Sequence, residues 1–177
     1  MEALEVIFKR KSTRKFTNKE ISEENLNIIL KAAMASPSCA NTRDWQFIVV
    51  RDKETLAKMA DANGRPAQVL KEANVGILIC GDEQLAFSSA KEYWVIDGAI
   101  ATENMCVAAT ALGIGNVWLG TWPQMERVNN QKALFNLPDH IIPHSILALG
   151  YPLDEEAFIA DNSGWKFEES KIHYEKW

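Results

Sequence analysis

The 177-residue chain predicts one domain of mixed helix and sheet, and three observations carry that prediction. Its residues are 47% hydrophobic, with no Pro/Gly/Ser-rich linker and no break in composition, so one sizeable core is expected. Four apolar runs of strand length are bounded by Gly, Pro and Asp. Between them lie segments whose apolar residues recur at helical spacing.

Ser22 can cap a helix whose first turn holds Glu23 and Glu24 and whose apolar face is Leu26, Ile29, Leu30 and Ala33. That helix must stop before Pro37. Residues 46–50 read as a buried strand and 53–60 as a short helix, with Gly64 and Pro66 marking a loop. A second strand covers 75–80 and closes at Gly81-Asp82. Residues 92–112 are apolar around most of a helical circumference and predict a central buried helix ending at Gly113. A strand over 116–119, a helix over 124–135 and a strand over 145–149 complete the set. The tail over 172–177 alternates apolar and polar residues to its last position, which predicts a strand with something to pack against.

A formal charge of −5 and a pI near 5.3 argue against nucleic acid or an anionic membrane as partner. No stretch reaches the ~18 apolar residues of a spanning helix, and Glu2 and Glu5 oppose a signal peptide, so a cytoplasmic location is expected. Cys39, Cys80 and Cys106 are odd in number and far apart, with no disulfide or zinc pattern, and the last two read as core thiols. His140 and His144 are separated by Pro143, which opposes a shared helical face, so no metal site is predicted.

Against this acidic background, Arg10-Lys11-Ser12-Thr13-Arg14 packs three cations and two hydroxyls into five residues, the donor set of an anion site. Gly113-Ile114-Gly115-Asn116-Val117-Trp118 is not a dinucleotide fingerprint. Trp118 replaces the third glycine, and the run leads from helix to strand, the reverse of the order that puts a helix N-terminus at a pyrophosphate.

Taken in order, the basic motif, the segment Ser36-Pro37-Ser38-Cys39-Ala40-Asn41-Thr42-Arg43-Asp44-Trp45, the Gly113–Gly120 run and Gly150-Tyr151-Pro152 resemble the nitroreductase family of FMN-dependent oxidoreductases. The resemblance spans the whole chain. It implies an α+β, three-layer fold: a mostly antiparallel four-stranded sheet flanked by helices, with a fifth strand supplied by the partner's tail in a homodimer. Residues 1–177 would then be one domain, with an arm at about 165–177 reaching the partner. By the same resemblance Arg10 and Ser12 hold the FMN phosphate and ribityl chain, beside Lys11, where relatives often carry arginine. Arg14 lies at the pyrimidine edge, and Pro37, Ser38, Cys39, Ala40 and Asn41 approach the flavin from the other subunit. Trp118, Leu119, Gly120 and Thr121 pass along the ring, and Lys166 takes the place of a phosphate-binding arginine.

The resemblance implies that FMN carries the chemistry, with no catalytic side chain of its own: NADH or NADPH donates hydride, and a nitroaromatic or quinone acceptor then takes it in a ping-pong cycle. The alternatives are an FMN-binding module or redox sensor with little turnover, or a specialised flavin reaction such as reductive dehalogenation. Arg43-Asp44 stands where relatives have Gln-Pro; it reads either as a surface ion pair or as a substrate-facing arginine. Asp97 reads as a structural acid with a partner.

Overall fold

Alternation along β2 (Val75–Asp82) sends Ile77 and Ile79 to one face of a sheet and Leu78 and Cys80 to the other, so both faces need cover. The structure, a computed structural model, describes residues 2–154 and 165–177. Its sheet has the order β1 (Trp45–Val50), β2, β4 (Ile141–Gly150), β3 (Gly115–Gly120), and every neighbouring pair is antiparallel. Helices α2 (Glu23–Met34) and α4 (Tyr93–Ala111) bring Ile29, Ala33, Met105 and Ala109 against Ile77 and Ile79. On the opposite face, α3 (Lys53–Asn63) brings Leu56 and Met59 against Leu78 and Ile146, with α5 (Met125–Phe135) beside it. The result is the expected α+β sandwich of three layers.

Local chemistry explains most boundaries. The Ser22 hydroxyl accepts from the Asn25 N–H at 3.2 Å and starts α2, which ends at Met34. Helix α4 ends where Gly113 takes φ +71°, a left-handed position glycine adopts without strain. The loop expected around Gly64 and Pro66 is instead a 3₁₀ helix, Arg65–Lys71, with proline in its first turn. Strand β4 begins at Ile141, earlier than expected, because Pro143 sits at the register shift opposite Cys80 where the ladder is broken. The short helix α1 (Ala3–Lys9), absent from the sequence expectations, packs on α4.

The strand expected over 172–177 is not formed. Residues 165–177 are all exposed and contain one 3₁₀ turn, Glu169–Lys171. A strand requires a neighbouring edge, and among the described residues the tail pairs with no edge of its own sheet.

Candidate functional site

The basic motif runs in extended form from the end of α1 across the sheet's β3 side. Ser12 bridges Asn116 in parallel, the Thr13 N–H donates to the Asn116 carbonyl at 2.8 Å, and Phe16 bridges Pro152. Asn116 is buried, and its side-chain amide donates to the Cys106 carbonyl and the Thr110 hydroxyl, so one residue couples the motif to α4. Glycine is required beside it: a Cβ on Gly115 would lie 2.7 Å from Thr13 Cγ2 and 2.8 Å from Thr13 Cβ. Arg10 approaches Glu103 of α4 at 3.6 Å. Lys11 and Arg14 line a cavity of about 390 Å³ with Lys15 and Pro152.

At the far end of β3 the side chains alternate. Trp118 is 37% exposed and Gly120 is exposed, whereas Leu119 and Thr121 are buried. The Thr121 hydroxyl donates to Asn63 Oδ1 at 2.8 Å, and the Asn63 amide and Arg127 guanidinium both donate to the Gly120 carbonyl. A Cβ added to Gly120 would meet nothing within 4 Å. The strand therefore ends in a fixed backbone segment beside open space. Asn63, which the sequence reading missed, is what fixes it; a polar residue at a helix end carries no local sign of that long-range contact.

Below Trp118, His144 is buried between Trp118 and Trp94, with ring centroids 6.0 and 6.1 Å away, and its Nδ1 lies 2.9 Å from the Ser145 hydroxyl. Burial pulls its pKa down to about 4, so the ring is neutral at physiological pH. Among the described residues no group of three or more His, Cys, Asp or Glu is arranged to hold a metal.

Residues 38–43 form a tight exposed turn in which Ala40, Asn41 and Arg43 all have positive φ, at 49°, 57° and 53°. Left-handed backbone is costly for alanine and arginine, so the turn needs clamps. The Cys39 N–H donates to both Asp97 carboxylate oxygens at 3.0 and 3.1 Å, and the Arg43 N–H donates to Ser38 Oγ at 2.9 Å. Asp97 is thus the partnered structural acid expected. The surface ion pair expected for Arg43-Asp44 is absent. Arg43 is exposed and donates to the Met34 carbonyl, whereas Asp44 is fully buried beneath the turn. The left-handed step at Arg43 sends these neighbours to opposite sides.

Trp165 stacks on Phe8 at 4.8 Å and shares a cavity of about 270 Å³ with Arg10, which brings the exposed Lys166 to the Arg10 end of the motif. Within one chain, then, Arg10, Lys11, Ser12 and Arg14 share an extended segment paired with β3, the strand of Trp118, Leu119 and Gly120, with Thr121 just beyond it. Pro37, Ser38 and Cys39 line a separate apolar groove with Tyr93, Ile96 and Ile100.

The Nitroreductase family profile matches residues 7–88 and 63–151, and the chain belongs to that family. A candidate NADH dehydrogenase/NAD(P)H nitroreductase of Archaeoglobus fulgidus is 42% identical over 176 residues, 99% of each chain. The crystal structure of a similarly described protein from Parabacteroides distasonis superposes with a TM-score of 0.89 at 33% identity, over 99% of this chain and 98% of that one. A nitroreductase candidate from Desulfovibrio desulfuricans, solved in complex with FMN, is 26% identical with a TM-score of 0.80, covering 99% and 97%. The protein is an oxidoreductase of the nitroreductase type.

Proposed function

We propose that the protein is an NAD(P)H-dependent FMN oxidoreductase that reduces nitroaromatic, quinone or similar acceptors. One observation carries the reading: the Thr13–Asn116 pairing fixes the cationic motif to the strand that ends at open Gly120. From Asn116 to Gly120 is about 13 Å along a strand. That span suits a cofactor with a phosphate at one end and a planar ring at the other. Arg10, Lys11, Ser12 and Lys166 would hold the phosphate and its arm. Arg14 would stand at the ring's pyrimidine edge, where a cation favours the anionic reduced form. Backbone from Trp118 to Thr121 would run along the ring, and the absence of a side chain on Gly120 leaves room for it.

When bound, FMN supplies hydride acceptance and donation; the protein supplies position, charge and access. Pro37, Ser38 and Cys39 of the 37–41 loop line an apolar groove of one chain, with Tyr93 and Ile96 exposed beside them, and the loop would complete the site of a second copy. The functional unit is accordingly a homodimer with two sites, the tail 165–177 reaching across and adding a strand to the partner's sheet. Among the described residues no helix is long and apolar enough to cross a membrane.

Purified protein should be yellow, and NADH or NADPH should bleach it without oxygen. Menadione or nitrofurazone should then restore the colour. Colour that persists with both nucleotides overturns the reading, and bleaching without reoxidation assigns the protein to flavin storage or sensing.

A further inference from the structure

The Gly120 carbonyl receives two donors, one of them charged, at the point where β3 meets open space. Strand β3 is an edge of the sheet, and Asn116 and Gly120, four residues apart on it, turn their backbone groups to the same side. At Asn116 that side is the outer edge, where the carbonyl accepts the Thr13 N–H. Left uncovered, the Gly120 carbonyl would present the negative end of its dipole along the same edge. Instead Asn63 Nδ2 donates to it at 3.1 Å and Arg127 Nη1 at 3.0 Å. We propose that Arg127, seconded by Asn63, is a positioning residue of the flavin site: it covers the Gly120 carbonyl and turns the ring end of β3 from an edge that repels electron density into one that favours the reduced cofactor.

The two donors differ in kind. Asn63 ends α3, is 0% exposed and accepts the Thr121 hydroxyl at 2.8 Å, so its amide is held in one orientation. Arg127 comes from the first turn of α5 and is partly exposed, and among the described residues it pairs with no carboxylate. Its charge is therefore directed at one carbonyl. A hydrogen bond from a charged donor is roughly twice as strong as a neutral one, and it polarises the peptide that accepts it. A mechanical tether needs no such donor. Asn63 already joins β3 to α3, and the Trp122 N–H donates to the His144 carbonyl at 2.9 Å to hold the segment beyond. Neighbouring ionisable groups do not duplicate the charge: His144 beneath Trp118 is neutral, and Asp61 in the last turns of α3 is paired with Lys71. With the ring lying along Trp118 to Thr121, the negative charge gained on reduction would meet a guanidinium-capped carbonyl and not a bare oxygen.

The inference rests on the flavin reading, and its test separates the two. In FMN-loaded protein, the ratio of affinities for reduced and oxidised FMN is read from the midpoint potential in a dye-equilibrated titration. Arg127→Gln removes the charge and should lower that ratio roughly three- to tenfold at low salt, a shift of about 14–30 mV for a two-electron couple. Arg127→Lys keeps the charge and should stay within about twofold of the wild type. Salt at about 0.5 M should shrink the gap between wild type and Arg127→Gln, because a partly exposed charge is screened. A purely mechanical tether would leave the ratio unmoved, or shift both variants equally whatever the salt; either result overturns the proposal. Both variants should fold, because Asn63 still holds the carbonyl. The bond itself has a readout without FMN: in apoprotein, the carbonyl carbon resonance of Gly120 should move upfield in Arg127→Gln, and an unmoved resonance overturns the proposal as well. Wild-type protein that retains no FMN overturns the flavin reading instead, and the Gly120 resonance then still decides whether Arg127 covers that carbonyl.

Discussion

Replacing Gly115 by alanine tests whether the cationic motif depends on the close approach of two backbones. The new Cβ would stand 2.7 Å from Thr13 Cγ2, 2.8 Å from Thr13 Cβ and 3.0 Å from Thr13 Oγ1. Thr13 cannot swing clear: its Cβ is fixed to the backbone, its N–H is bonded to the Asn116 carbonyl, and the residue is buried. The motif must therefore lift off β3, or the strand must shift. Overpacking of this kind costs about 1–3 kcal/mol. For a chain of this size each kcal/mol lowers the Tm by about 2–4 °C, so a fall of roughly 2–12 °C is expected in a thermal melt. The functional prediction is sharper: Ser12 moves with Thr13, so FMN affinity should fall along with stability. Thr13→Gly in the same chain removes all three clashing atoms and should restore much of the FMN affinity. Gly115→Ala with unchanged melting temperature and unchanged FMN affinity would refute the coupling between strand and motif.

Arg10→Ala should weaken FMN binding by about 1.5–3 kcal/mol, the range for a hydrogen bond to a charged group, and Lys166→Ala by less. Equal losses toward riboflavin, which lacks the phosphate, would exclude Arg10 as a phosphate ligand. His144 should titrate near pH 4 in an NMR pH series; a transition near 6.5 would contradict its burial among Trp94 and Trp118. Because its pKa is depressed in the folded state, its contribution to stability is present above about 6.5 and lost as the pH falls toward 4. Deleting 172–177 should lower both dimer stability and FMN retention, as expected if the dimer buries the ~2,000 Å² or more of an obligate interface. A truncated chain that sediments as a dimer and keeps its flavin would count against a role for the tail.

What could be read from the sequence was what local chemistry decides. Ser22 announces α2 because its hydroxyl acts three residues away, and Gly113 ends α4 through its own φ. The four strands were legible because both faces of a central sheet select apolar side chains. Position 44 was not legible. Adjacent Arg and Asp suggest an ion pair, and only the left-handed backbone at Arg43 exposes one and buries the other. Helix α1 escaped notice for a related reason: Phe8 stacks on Trp165, more than 150 residues away in sequence, and Val6 is buried, contacts that no local pattern announces. The tail's alternation is genuine in the sequence, but a strand needs an edge to pair with, and among the described residues the tail pairs with none.

Helix α4 is the ruler of the candidate site. Asp97 holds the turn and Glu103 meets Arg10, six residues and about 9 Å further along the axis. The helix affords few alternative partners there, because its buried hydroxyls are consumed internally: Thr102 donates to the Gly98 carbonyl and Thr110 to that of Cys106. Asn116 then joins the Cys106 turn of α4 to β3, so the basic motif, the strand end and the 38–43 turn are all referenced to one rigid element. Rigidity of that kind is what a cofactor-positioning protein needs, since the flavin performs the reaction and small displacements of its surroundings alter its potential and access. Three left-handed non-glycine residues on one turn are unfavourable for folding. Their concentration on the turn that faces away from the core, and not in the sheet, is the distribution expected of strain kept for function.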